Sequence, residues 1–321
     1  MPLESDPLRV IDAERTRRAL SFARLIPALR AAFASGTQVP LRHHHAIPQS
    51  DGTTATLLLM PAWQDNGGYL GVKIATVFPG NARREWPAVN STYLLCDGAT
   101  GKPLAVIDGD QITARRTVGV AALAASFLAR ESASSLLIVG AGRIASLAAA
   151  AFREVRPIGR VAVWDRTLRK AGTLVEALRA QGFDASVATS LREAVGVADI
   201  VSCATLATKP LIQGEWLAPG THLDLIGSFT PQMREADDAC VARGRVYVDS
   251  RGALLESGDL IDPIRSGVLQ ESAVVGTLNQ LCVGDIAGRR TDDEITIFKA
   301  VGTALADIAS AVLVYRSDIE D

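Results

Sequence analysis

Cysteine is scarce and unpatterned: Cys96, Cys203, Cys240 and Cys282 are the only four in 321 residues, and no C-x-x-C pair occurs. That excludes a disulfide framework and a zinc knuckle, and it fits a reducing, cytoplasmic setting. An excess of charge of one sign is also lacking. The net charge is −2, so nothing electrostatic argues for nucleic acid or an anionic membrane as a partner. No uninterrupted apolar run is long enough to span a bilayer. The stretch Met1 to Arg18 is charged and lacks the apolar centre of a signal peptide. Internal repeats and low-complexity segments are absent. One run of histidines occurs, His43-His44-His45. Strand alternation puts only His43 and His45 on one face, with no cysteine or acid adjacent, so no metal is expected.

What remains is a globular composition. Apolar residues make up 48% of the chain, enough for a sizeable core in two domains or one large one. Asp12 to Phe33 reads as an amphipathic helix interrupted at Pro27. Strand-like runs follow at Val39 to Ile47, Thr54 to Trp63, Tyr69 to Phe78, Ser91 to Cys96 and Pro103 to Ile107, the last two joined by a hairpin-like turn. This first region is mostly antiparallel sheet. Asp110 is placed to cap an alanine-rich helix, Gln111 to Ala129. Strands and helices then alternate from Leu136 to Val248, which predicts a parallel, doubly wound sheet. Glu294 to Lys299 reads as a strand or a helix start, and Gly302 to Tyr315 as an apolar helix that returns to the first domain.

The centre of that alternation is the apolar run Ser134 to Val139, followed by Gly140-Ala141-Gly142-Arg143-Ile144-Ala145. A strand, a glycine turn and a helix can hold a pyrophosphate. Gly140 permits the tight turn, Gly142 lets backbone approach the phosphates, and the first N–H groups of the helix face the anion. Ala145 is a small third residue in the motif. The next strand ends Val163-Trp164-Asp165-Arg166-Thr167. Asp165 suits ribose hydroxyls and repels a 2′-phosphate, whereas Arg166 attracts one, so NADH and NADPH both stay open; Asp165 is equally placed to cap the helix that follows. Ligands in such sheets lie beyond the carboxyl ends of the strands, which brings in Thr205, Gly227 and Ser228.

Three cations lie outside this unit. Arg42 is in the first strand run, Lys73 stands in the apolar Gly71-Val72-Lys73-Ile74-Ala75, and Arg116 is in the linking helix. A buried lysine needs a partner, although strand alternation equally allows Lys73 a solvated face. Together the three would bind a small carboxylate.

These stretches carry a resemblance. Val39-Pro40-Leu41-Arg42, Leu59-Met60-Pro61-Ala62, Gly71-Val72-Lys73, Phe78-Pro79-Gly80-Asn81, Leu104 to Gly109, Ile112 to Thr117, Val139 to Gly142 and Ile297-Phe298-Lys299 are similar to the ornithine cyclodeaminase/mu-crystallin family, nearly end to end. The resemblance implies an α/β protein: a Rossmann-type doubly wound parallel sheet over residues 116–289, plus a second α+β substrate-binding and dimerisation domain from residues 1–115 and 290–321. It implies a homodimer that binds NADPH or NADH. It implies that Arg42, Lys73 and Arg116 hold a substrate carboxylate beside the nicotinamide; His45 or His44, on the same stretch as Arg42, is then expected near the substrate. Lys73 serves either as a carboxylate ligand or as a proton donor to nitrogen.

One departure bears on activity. Where ornithine cyclodeaminase has an acid/base aspartate just beyond the glycine ending the fifth strand, this sequence reads Gly227-Ser228-Phe229-Thr230-Pro231. Phenylalanine transfers no proton. The usual serine after Phe-Lys is Ala300. The variant is most similar to the branch that reduces the cyclic imino acid Δ1-pyrroline-2-carboxylate. Ornithine cyclodeamination, amino-acid dehydrogenation and ligand binding without turnover, a role that the mu-crystallin branch suggests, stand as alternatives.

Overall fold

The computed structural model describes residues 7–84 and 86–320. The opening residues of the Met1 to Arg18 stretch and the last residue of the chain lie outside them. The chain divides into two compact units, one made of the residues up to Arg116 with those from Thr303 onward, the other of Thr117–Gly302.

The first unit contains, in order, β1 (Arg9–Ile11), α1 (Ala13–Ala19), α2 (Phe22–Phe33), β2 (Thr37–Gln38), β3 (His43–Pro48), β4 (Thr54–Gln64), β5 (Tyr69–Val77), β6 (Val89–Asp97), β7 (Pro103–Asp108) and the start of α3 (Gly109–Leu128). Seven strands form one sheet in the order β1-β7-β6-β5-β4-β2, with β3 also paired to β4. All pairs are antiparallel except β1 with β7.

Three local expectations are corrected here. The helical stretch breaks at Leu20-Ser21 rather than Pro27: Ser21 is extended and starts α2, and Pro27 lies inside α2, whose Leu25, Ile26, Leu29 and Phe33 are buried. The first strand run divides around Pro40, which has no N–H for a sheet ladder, so Arg42 immediately precedes β3. Asp108, not Asp110, caps α3, its Oδ1 accepting from the Gln111 N–H at 2.7 Å. Asp110 accepts from the Ser91 hydroxyl instead.

The second unit contains β8 (Ser135–Val139), α4 (Ala145–Arg153), β9 (Arg160–Trp164), α5 (Leu168–Ala180), β10 (Asp184–Val187), α6 (Leu191–Val197), β11 (Ile200–Cys203), β12 (His222–Leu225), α7 (Asp238–Arg243), β13 (Arg245–Val248), α8 (Ala253–Glu256), α9 (Gly258–Arg265), β14 (Gly276–Thr277), α10 (Leu278–Val283) and β15 (Thr296–Lys299); α11 (Ala304–Glu320) belongs to the first unit. Eight strands, parallel throughout, run in the order β10-β9-β8-β11-β12-β15-β13-β14. The predicted Rossmann-type doubly wound sheet is therefore present. The chain moves outward one way from β8 through β9 to β10, then the other way through β11 to β12, so the switch point lies at the ends of β8 and β11. Open α/β sheets bind their ligands at such a point.

Residues 290–302 join this unit rather than the first. The cause is β15, a fully buried strand inserted between β12 and β13, so the boundary falls at Gly302 instead of residue 289.

Candidate functional site

In the first unit, alternation along β5 sends Gly71, Lys73 and Ala75 to the buried face and leaves Ile74 40% exposed on the other. Lys73 thus points inward, only 2% exposed, with Met60 of β4 and Tyr93 of β6 beside it in register. Gly71 must be glycine here, because a Cβ would meet the Tyr93 hydroxyl at 2.3 Å. The partner Lys73 needs is Asp307, in the first turn of α11. Lys73 Nζ lies 2.7 Å from Asp307 Oδ2, and Arg116 Nε donates to Asp307 Oδ1 at 2.8 Å. Two predicted cations therefore converge on one fully buried carboxylate.

Their electrostatics follow from that convergence. Burial pulls the Lys73 ammonium down to about 8; Asp307 resists the fall, and Arg116 and Arg42 add to it. Burial alone would raise the Asp307 carboxyl, but Lys73 and Arg116 hold it below its usual range. The charge of Arg42 is felt at Lys73 and at His44.

Strand register separates the two histidines expected near the substrate. His44 pairs with Leu58, and Leu58 with Ala75, which puts His44 on the Lys73 face of the sheet; His45 pairs with Leu57 and lies on the opposite face. His45 is exposed, its ring 6.3 Å from that of His43. The fold does not bring His45 to the Lys73 cluster within this chain. Burial, then Arg42, lowers the His44 pKa.

In the second unit, Gly140 adopts φ +108°, and a Cβ there would meet the Ala204 carbonyl at 2.8 Å. The turn after β8 thus packs on the chain leaving β11, which only glycine allows. Gly142 is the opposite case, exposed and with no heavy atom within 4 Å of a Cβ position. Ile144 precedes α4, and no side chain caps the helix. An open lip and an uncapped helix start are what an approaching phosphate needs. Ala141 and Arg143 complete the turn. The Asp165 carboxylate bridges this turn and the next, accepting from the Ala141 N–H at 3.0 Å and the Thr167 N–H at 2.7 Å. Arg166 and Thr167 are exposed beside it.

Thr205, Gly227 and Ser228 are gathered by a residue that sequence reasoning misses, Glu235. One oxygen of its carboxylate accepts from the Thr205 N–H and hydroxyl, both at 2.7 Å; the other accepts from the Gly227 N–H at 2.8 Å and from Ser228 N–H. Asp259 in turn accepts from the Glu235 and Ala236 N–H groups and pairs with Lys299 Nζ at 3.1 Å, both charges fully buried. Burial raises the Glu235 carboxyl to about 7, against the pull of Lys299. The Ser228 hydroxyl is engaged by Met233 and Ser257. Gly227 is required by close approach, since a Cβ would lie 2.2 Å from the Thr205 carbonyl oxygen. Phe229 follows, 38% exposed, and Ala300 is buried after β15. Among the described residues no group of three or more His, Cys, Asp or Glu side chains is arranged to hold a metal, and no helix is long and apolar enough to cross a membrane.

A missed acid of this kind has a visible sign in one case. Asp307 interrupts Ala304-Leu305-Ala306-Asp307-Ile308-Ala309, as Lys73 interrupts β5. Two lone charges in two apolar elements are each other's natural partners.

A sequence model of the ornithine cyclodeaminase/mu-crystallin family matches residues 9–320. The Δ1-pyrroline-2-carboxylate reductase of Paracoccus denitrificans is 41% identical over 285 residues, covering 86% of this chain and 90% of its own. The structure of Thermococcus litoralis Δ1-pyrroline-2-carboxylate reductase in complex with NADH and L-proline matches with a TM-score of 0.92 at 32% identity, covering 98% of each chain. An archaeal alanine dehydrogenase dimer with bound NAD matches at 0.91 and 29% identity, over 98% of this chain and 96% of its own. The family match runs through both units and every stretch that carries the resemblance, and the chain belongs to the ornithine cyclodeaminase/mu-crystallin family.

Proposed function

We propose that this protein is an NAD(P)H-dependent reductase of cyclic ketimine carboxylates. It reduces Δ1-pyrroline-2-carboxylate to L-proline and, by the same chemistry on a six-membered ring, Δ1-piperideine-2-carboxylate to L-pipecolate, in the breakdown of hydroxyproline and proline. The observation that carries this reading is the convergence of Lys73 and Arg116 on Asp307. An ammonium and a guanidinium offer eight donors between them, about twice what one carboxylate accepts. The surplus suits a second, incoming carboxylate, and a planar imino acid carries one beside its electrophilic C=N bond.

The glycine turn fits a dinucleotide: Gly142 leaves room, α4 begins uncapped, and Asp165 spans the turn where a ribose would lie. When bound, the reduced nicotinamide supplies the hydride. The chain's own residues then have a limited task. Lys73, Arg116 and Arg42 fix the carboxylate, and a proton must reach the ring nitrogen as the imine carbon is reduced. No water needs activating and no nucleophile is required, so Phe229 costs this reaction nothing while it removes the acid/base that cyclodeamination uses. The relatives named as Δ1-pyrroline-2-carboxylate reductases support the same choice.

A homodimer fits the first unit. The sheet face opposite Lys73 carries Leu59, Trp63, Val72 and Ile74, with Trp63 and Ile74 each 40% exposed. An apolar sheet face of this kind suits a second copy of the chain.

The test is oxidation of NADH and of NADPH by the purified protein with Δ1-pyrroline-2-carboxylate, set beside ammonia release from L-ornithine without reductant. Rapid oxidation with no ammonia is expected, and the ratio of the two cofactors reports whether Asp165 or Arg166 prevails. Ammonia release, or oxidation only with pyruvate and ammonia, would replace this reading by cyclodeaminase or amino-acid dehydrogenase; cofactor binding with no turnover would replace it by a binding protein.

A further inference from the structure

We propose that Asp307 is a positioning residue of the carboxylate site: it fixes Lys73 and Arg116 in one arrangement before substrate arrives and holds Lys73 as an ammonium. This rests on reading that cluster as the substrate site. Asp307 touches both cations at hydrogen-bond distance, one through each carboxylate oxygen. It sits in a helix segment whose neighbours Ala304, Leu305, Ala306, Ile308 and Ala309 are all buried and apolar. A carboxylate in such a segment is a liability unless its partners need it.

They do need it. Lys73 and Arg116 are like charges buried within reach of a single point, with Arg42 adding a third charge. Asp307 is the largest of the influences that keep the Lys73 proton in place. Remove it, and burial plus two arginines act on Lys73 unopposed, so the amine loses its proton in the neutral range and ceases to attract a carboxylate. The guanidinium of Arg116 also loses the contact that orients its fork. A rival view gives the opposite sign. If Asp307 merely tempered excess positive charge, its neutralisation would tighten anion binding.

The chain has only five lysines, Lys73, Lys102, Lys170, Lys209 and Lys299, so [13Cε]lysine labelling gives a resolvable NMR titration, with Lys73 assigned by Lys73→Arg. In the wild-type protein the Lys73 midpoint is expected near 8. In Asp307→Asn it falls tenfold or more in proton affinity. At pH 7.5 the KM for Δ1-pyrroline-2-carboxylate rises at least tenfold, and the basic limb of the kcat/KM profile moves to lower pH. Asp307→Glu restores the Lys73 midpoint towards wild type and leaves KM between the two. A folded Asp307→Asn protein with an unmoved Lys73 midpoint, or with a lower KM, overturns the proposal. Should Asp307→Asn not fold, the Asp307→Glu protein and the wild-type titration decide. Lys73 neutral at pH 7 in the wild-type protein, or an Asp307→Glu protein with wild-type KM, overturns the proposal; a charged Lys73 with a raised Asp307→Glu KM supports it. Absence of turnover by the wild-type protein would sink the proposed reaction, and the titrations alone would then decide the role of Asp307.

Discussion

Replacing Gly142 with alanine adds a methyl group to the outer lip of the turn after β8, where no protein atom lies within 4 Å. The backbone there is not in the left-handed region, so the free protein has no reason to object. Its stability should change by no more than about 0.5 kcal/mol, or rise slightly because alanine narrows the unfolded ensemble. In the proposed cofactor site, a bound dinucleotide would meet the methyl directly. If the pyrophosphate is pushed off one turn N–H, a charge-assisted hydrogen bond worth about 1.5–3 kcal/mol is lost, which weakens Kd by about 10- to 150-fold. Gly140→Ala is the matched control with the opposite pattern. Its Cβ would meet the Ala204 carbonyl at 2.8 Å, at φ +108°, so melting temperature should fall before any ligand is added. Fluorescence titration with NADH and thermal melts on both variants separate the two effects. If Gly142→Ala binds NADH as the wild-type protein does, the pyrophosphate does not lie on this turn, and the assignment of Gly140, Ala141, Gly142, Arg143 and Ile144 to cofactor binding is wrong.

Arg116→Ala leaves Asp307 buried with one partner of two. It should cost about 3–5 kcal/mol in denaturant unfolding as well as most of kcat/KM; a loss under about 1 kcal/mol would mean that the Arg116–Asp307 contact carries little. Asp224 offers a pH test. Burial raises its carboxyl to about 7, against the hydrogen bond from Ser202 and the charge of Lys299. A carboxyl raised in the folded state favours folding fully at acid pH, and that contribution is lost as pH rises through about 7. Asp224→Asn removes the loss, so the difference in melting temperature, variant minus wild type, should grow from pH 5 to pH 8; an equal difference at both pH values contradicts the argument.

The second unit was the more legible in sequence because its signals are local. A buried apolar run, a glycine turn and an alanine-rich helix occupy consecutive residues from Ser135 to Arg153, and each step has one physical reading. The convergence of Lys73 and Arg116 was less legible: an apolar strand announces that its lysine needs a partner but does not say which. That partner is 191 residues from Arg116, so only the return of α11 to the first unit reveals it. Glu235 is hidden for another reason. Its neighbours in sequence look like an ordinary loop, and its importance comes from four donors that reach it from the ends of two strands. Which of His44 and His45 shares the Lys73 face is set by the register of β3 with β4, which no local pattern discloses. The boundary at residue 302 depends on β15 entering the sheet out of sequence order, a choice made by burial rather than by turn signals.

In the proposed reaction a hydride passes from the reduced cofactor to the imine carbon of a cyclic ketimine carboxylate. Incubating the protein with Δ1-pyrroline-2-carboxylate and NADH or NADPH dideuterated at C4, then analysing the proline by mass spectrometry and chiral separation, tests it directly. L-Proline carrying one deuterium at C2, formed in step with cofactor oxidation, is the expected product. Proline without deuterium, racemic proline, or cofactor oxidised with no proline formed would contradict it.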